Sequence, residues 1–204
     1  MNALLALGFL SCASTPARAE VQRLVVPCGA AACLWDRPRL DPPAGWSVDE
    51  EWSARLQQLV FVPAGSAMAV APARIIARTL DAAAEPDLAR LIEHEQDRAL
   101  GGSLTLVAVR GSALSAGAGP AWPTLTVASR DPAASRQTLA FGRDGAFWVV
   151  LLLDAVNPTE HEHALPALRA LLAGYRPVLA PEAATPSPAI APSASRVKKE
   201  RTAP

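Results

Sequence analysis

The segment Glu160-His161-Glu162-His163 sets two imidazoles and two carboxylates in four consecutive positions. These residue types bind divalent metals or move protons near neutral pH. Spacing decides which chemistry is open to them. On a helix, residues two apart diverge by about 200°, so His161 and His163 cannot chelate one ion there; in an extended segment they would share a face. Pro166 favours a late helix start, which leaves 159–163 a loop, because proline suits the first helical turn. An early start is also open: Asn157 with Glu160, or Thr159 with Glu162, has the capping-box spacing, and Pro166 then lies inside the helix. Under either start Leu165, Leu168, Leu172 and Tyr175 form the buried stripe, and the histidines are expected at its exposed entrance. No metal site is therefore expected, with His161 and His163 as the residues that would form one.

The third histidine, His94, stands among Glu93, Glu95 and Asp97. Leu88, Leu91, Ile92 and Ala99 lie on one face of the helix predicted around it, so His94 is expected on the solvated side. The enzyme alternative is metal-dependent or general acid/base chemistry by His161 and His163, joined by His94 if the fold brings it near. Motifs with a known mechanism are absent from the sequence: there is no Gly-x-Ser-x-Gly turn, no glycine-rich phosphate loop and no His-Glu-x-x-His. Neither catalytic residues nor a cofactor are expected.

The cysteines are read through the amino terminus. An apolar run from Ala3 to Leu10 leads to Ala17-Arg18-Ala19 before Glu20, the small-x-small pattern of a cleaved leader. This predicts a signal peptide over 1–19, a mature chain from Glu20, and a periplasmic or secreted location. The alternative is a membrane-anchored lipoprotein processed at Cys12. Export leaves Cys28 and Cys33 in an oxidising compartment, where pairing is expected. Four residues separate them, too many for a thioredoxin-like redox pair, and a loop so short pins a turn more than it stabilises a domain.

Positive and negative side chains balance at 19 each, so the chain lacks the basic field that concentrates nucleic acid. No apolar run reaches the roughly 20 residues that cross a bilayer, so no transmembrane segment is expected. The composition divides the chain into an amino-terminal strip over 20–40 with the two cysteines, a folded domain over 41–179, and a Pro/Ala-rich tail over 180–204 expected to be disordered.

Within the domain, strands are predicted from Val21 to Val26, from Trp46 to Asp49, and over Leu56 to Pro63 and Ala73 to Leu80, the last two as antiparallel neighbours. A helix over 85–100 follows, with Pro86 near its first turn, then strands beginning at Leu104, Trp122, Arg136 and Ala146. Asp144-Gly145 marks a tight hairpin between the last two. Phe147 to Leu153 is apolar without alternation, which places it centrally in a sheet covered on both faces. The fold class read from this order is α+β: one domain, a mainly antiparallel central sheet with helices on its faces.

In PPAGWSVDEEW (42–52), FVPAGS (61–66), AFGRDGAFWVVLLLDAV (140–156) and ALPALRALLAGY (164–175), the chain resembles the α/β/α sandwich family typified by the photosystem II extrinsic protein PsbP and the Mog-type Ran-binding proteins, with their exported bacterial relatives. The resemblance covers about Asp41 to Pro177. It implies binding or assembly in place of catalysis and carries over no functional residue. The function expected is an exported, soluble binding or assembly module of the bacterial cell envelope, with another envelope protein as partner. Trp46 and Trp52, beside Val48-Asp49-Glu50-Glu51, are the aromatic anchors such an interface would use.

Overall fold

Nine consecutive residues, Phe147–Ala155, run almost unbroken in apolar side chains and form the fourth of seven strands in the main sheet. The computed structural model describes residues 21–28, 31–117 and 119–176, and the side chains of these except 27 and 28. In chain order the elements are β1 (Val21–Cys28), β2 (Ala31–Pro38), β3 (Trp46–Val48), α1 (Glu50–Leu56), β4 (Leu59–Pro63), β5 (Ala73–Asp81), α2 (Leu88–Leu100), β6 (Leu106–Leu114), β7 (Trp122–Ser129), β8 (Arg136–Asp144), β9 (Phe147–Ala155) and α3 (Pro158–Gly174). The sheet runs β3-β4-β5-β9-β8-β7-β6, and every neighbouring pair is antiparallel. β9 therefore sits at its centre, as its composition predicts.

Alternation along the strands sends side chains to two layers. On one face Phe61, Ile75, Leu151 and Leu153 pack against Leu168, Leu171 and Leu172 of α3 and against Trp35 of β2. On the other, Leu125, Leu139, Phe141 and Val150 meet Leu91 and Ile92 of α2, while Val60, Val62 and Ile76 lie beside Trp52 of α1. Over the central strands both faces of the sheet are thus withdrawn from water, while β6 at the edge is largely exposed; that burial stabilises an α+β sandwich.

Three elements depart from the sequence reading. β1 and β2 form a two-stranded hairpin of their own, with Leu24 opposite Trp35 and Val26 opposite Cys33; only its first strand was expected. Thr79 of β5 ties this hairpin to the main sheet by donating its hydroxyl to the Asp36 carbonyl. Residues 50–56, unassigned from periodicity, form α1. Its start is written in Asp49, whose Oδ1 accepts from the Trp52 amide at 3.1 Å, and in Glu50 and Glu51, which suit the positive end of the helix dipole. It ends at Gln57, held at φ 53°, so β4 begins at Leu59 and not at Leu56.

The third departure concerns the histidines. α3 begins early, with Asn157 as its cap: Oδ1 accepts from the Glu160 amide at 2.9 Å, and Pro158 fills the first helical position, where a missing N–H costs nothing. Residues 159–163 are helical, not a loop. Pro166 is accommodated inside the helix at an exposed position, and the residue whose carbonyl it cannot bond, Glu162, is exposed as well, so water can solvate the freed group. The turn between β8 and β9 falls one residue later than Asp144-Gly145 suggests. Asp144 pairs with Phe147, leaving Gly145 at φ 55° and Ala146 as the two loop residues, the glycine-first class of tight hairpin.

Candidate functional site

Extending the buried stripe of α3 back by one turn from Leu165 and Leu168 reaches His161, which is 5% exposed. This corrects the expectation that both histidines stand at an exposed entrance. His163, two residues on, is exposed, so the pair diverges as helical geometry requires, and the two share no metal. His94 belongs to α2 on the opposite face of the sheet, where its Nδ1 lies 3.2 Å from Glu85 Oε2. The three histidines of the enzyme alternative do not converge. Among the described residues, no group of three or more His, Cys, Asp or Glu side chains could hold a metal ion.

The tryptophan pair is likewise divided. Trp46 packs on the α3 face with Phe61 and its neighbours, whereas Trp52 packs on the other face against Val60 and Val62, with the Arg55 guanidinium 4.6 Å from its ring centre. Both rings are half-buried, and they do not form one patch. For the cysteines, the ladder sets Cys28 opposite Ala31 and Cys33 opposite Val26, a diagonal relation across the hairpin; the Cys28 side chain, like residues 1–20 with the expected leader and Cys12 and residues 177–204 with the expected tail, lies outside the described residues.

What the structure assembles around His161 is a groove of about 320 Å³ between α3 and the outer strands. Its floor is the α3-facing side of β6, β7 and β8. Thr126 and Thr138 stand opposite each other in the ladder, and Thr124 lies two residues along. Gly111 of β6 pairs with Thr124; a methyl at position 111 would overlap the Thr124 hydroxyl, so glycine keeps the floor open at that point. The wall is α3, which presents His161, Leu165 and Arg169 at four-residue intervals, one row along the helix. Arg136, at the start of β8, closes one end.

The polar groups of this groove are incompletely satisfied. Thr138 Oγ1 and His161 Nε2 are 2.9 Å apart, and Thr126 Oγ1 lies 3.5 Å from Thr138 Oγ1. Thr124 donates its hydroxyl to the Ser112 carbonyl at 2.9 Å. Yet His161 Nδ1 and Arg136 Nε have no hydrogen-bond partner, and they are two of three such buried side-chain atoms among the described residues. Folded proteins leave few buried donors or acceptors unpaired, so two in one groove point to a group that the protein does not itself supply.

Burial is the main reason the His161 pKa falls below its ordinary value, and the Arg136 charge lowers it further, with Glu162 opposing. The imidazole is thereby held neutral at pH 7. The unfolded chain binds a proton near pH 6.5 that the folded state resists, so stability is full above that pH and falls as the pH drops through the window beneath it. Denaturation series at pH 7.5 and pH 5.5 should show wild type losing more stability on acidification than His161→Gln; equal losses would show that this imidazole does not govern the acid response.

Seven antiparallel strands between a helix-plus-hairpin layer and a two-helix layer, with a groove under the final helix, define an α+β sandwich. No family model matches the chain, and neither does any curated protein sequence. Among solved structures it is similar to the Ran-binding protein Mog1p of Saccharomyces cerevisiae, at 17% identity and a TM-score of 0.38, over 74% of this chain and 91% of that one. The fold class itself is established by the strand order and layers described above.

The groove residues were not singled out from the sequence, although two signals were there. The run Trp122-Pro-Thr-Leu-Thr-Val alternates threonines with large apolar residues, and Thr124 and Thr126 fall on a face that the neighbouring strands fill with apolar side chains. The row His161, Leu165, Arg169 has helical spacing.

Proposed function

We propose that this chain is an exported binding module of the bacterial cell envelope whose ligand site is the groove between α3 and the β6–β8 face. One observation carries the reading of the groove: among the described residues, two of the three buried, unpartnered side-chain nitrogens belong to residues that line it. An unmet donor or acceptor in a low-dielectric site costs about 1–3 kcal/mol, and a bound molecule that pairs with these atoms recovers that cost. Export rests on the leader-like residues 1–19 and on the cysteine pair in the sequence.

The groove is tested by protein-observed NMR with a mixed set of neutral, cationic and anionic fragments. Binders should shift the resonances of Thr126, Thr138, His161 and Leu165, and Thr126→Phe, whose ring would fill the space, should abolish those shifts. Fragments that leave these residues unmoved, or shifts that persist in the filled variant, would sink the reading. Export and pairing are tested by intact mass of the protein taken from its own envelope fraction. A chain starting at Glu20 and two hydrogens lighter than its reduced form supports both, a full-length reduced chain rejects both, and added lipid on Cys12 selects the lipoprotein alternative. An envelope protein partner belongs to the same proposal, though Trp46 and Trp52 together no longer supply its surface.

A second reading has one observation in its favour. The Thr138 hydroxyl beside a neutral His161 resembles a nucleophile with its base. No carboxylate lines the groove to orient the imidazole through Nδ1, and that third member holds the ring in catalytic dyads of this kind. Ester turnover by wild type that is lost in both Thr138→Val and His161→Gln would favour this acid/base enzyme over the binding module.

A further inference from the structure

We propose that the groove selects small organic anions, a carboxylate head on a short apolar chain. This rests on the reading of the groove as a binding site and names the ligand class for it. Charge is the first reason. Arg136 and Arg169 both line the groove, and no aspartate or glutamate does. Among the described residues neither arginine has a carboxylate within ion-pair distance, although five other arginines do. Two carboxylates, Asp131 and Glu162, lie with Arg136 along a neighbouring depression and do not form an ion pair with it. A guanidinium with a buried, unpartnered Nε offers the geometry that a carboxylate meets with two hydrogen bonds.

Hydroxyl and apolar groups complete the selection. Thr126 and Thr138 give O–H groups on the floor, which can rotate to donate to an anion. The Thr138 hydroxyl and His161 Nε2 already share one hydrogen bond, so Thr126 is the freer donor. Leu114 and Leu165 line the remainder and would shelter a few methylene groups from water. The volume of about 320 Å³ stands at the lower end of the range for small-molecule sites, room for a short-chain acid.

The test uses the full chain and four probes: hexanoate, 1-hexanol, hexylammonium and inorganic phosphate, titrated by calorimetry and followed by NMR at Thr126, Thr138, His161 and Leu165. Hexanoate should saturate the site and bind about tenfold or more tightly than the alcohol and the ammonium, the ratio expected for one charged hydrogen bond. Arg136→Gln should weaken hexanoate by about the same factor. Arg169→Gln, at an exposed helix position that cannot disturb the core, should weaken it in the same direction. Equal affinity for 1-hexanol, tighter binding of hexylammonium, or hexanoate affinity unmoved in both arginine variants would overturn the anion proposal while leaving the groove a binding site. Phosphate binding as tight as hexanoate would overturn the organic part, making the site one for bare anions. If no probe of any charge perturbs the groove, both this inference and the binding module fall together.

Discussion

Replacing Glu95 by alanine should cost about 3–5 kcal/mol of folding stability, the range for removing one partner of a buried ion pair. Glu95 is 5% exposed on the inward face of α2, where its carboxylate binds the Arg78 guanidinium of β5 and accepts from Arg98 Nη2 at 2.7 Å. Arg98 reaches solvent and can rehydrate. Arg78 cannot: its side chain is 11% exposed, and burial already pushes its pKa down, with the Glu95 charge as the counterweight. Without Glu95 that burial penalty stands unopposed. Urea denaturation at pH 7 measures the loss directly. Glu95→Gln, which keeps the shape and removes the charge, should lose a large part of it too, whereas the paired replacement Arg78→Met with Glu95→Leu should come out near neutral, because two apolar side chains need no mutual compensation. A loss below about 1 kcal/mol for Glu95→Ala, the scale of an ordinary surface change, would show that Arg78 finds another partner or water.

The same residue explains where sequence reading stopped. The stripe of α2 is legible as Leu88, Leu91, Ile92 and Ala99, and Glu95 sits in the middle of that stripe, but a carboxylate there does not announce itself as buried. Its partner, Arg78, holds an even position on β5 with Ile76 and Leu80, the α2 side of the sheet, and only the fold brings strand and helix positions together. Elements whose burial is continuous, such as β9, announce themselves by composition, since nothing polar interrupts them. Buried polar residues do not, because their identity is set by a partner distant in sequence: 17 residues for Arg78 and Glu95, 23 for Thr138 and His161. The histidine site was misread for a related reason. Pro166 pulls the expected start later, but the Asn157-Pro158 pair is the stronger start signal, a side-chain cap followed by a residue with no N–H to satisfy. The missed α1 and β2 are short or belong to a separate hairpin, so neither builds enough periodicity to be seen. As for the groove, its residues come from three strands and one helix, and its floor is open because Gly111, Thr124, Thr126 and Thr138 are small on three different strands.

Gly142 is the position where a single methyl should do the most damage. Its backbone is not in the left-handed region, so conformation does not demand glycine there. Space does: a Cβ would overlap the six-membered ring of Trp122. The ring has nowhere to move, being 2% exposed and set edge to face against Tyr175 with centres 5.2 Å apart, while the Tyr175 hydroxyl donates to Asp144 Oδ2 at 2.6 Å. Overpacking of a filled core costs roughly 1–3 kcal/mol, and a ring clamped on both sides places Gly142→Ala at about the upper end. Removing the ring by Trp122→Ala costs about 3–5 kcal/mol through its own cavity. If the ring is the cause, Gly142→Ala should then cost close to nothing in the Trp122→Ala background, because the methyl enters the space that the indole has left. The double-mutant cycle would return a coupling of about 3 kcal/mol, well outside the few tenths expected of independent sites. Additive losses would place the strain in the strand backbone and not in the packing of Trp122 across it. Since Trp122, Gly142 and Tyr175 join β7, β8 and the end of α3, the same cycle measures how firmly the wall of the groove is fastened to its floor.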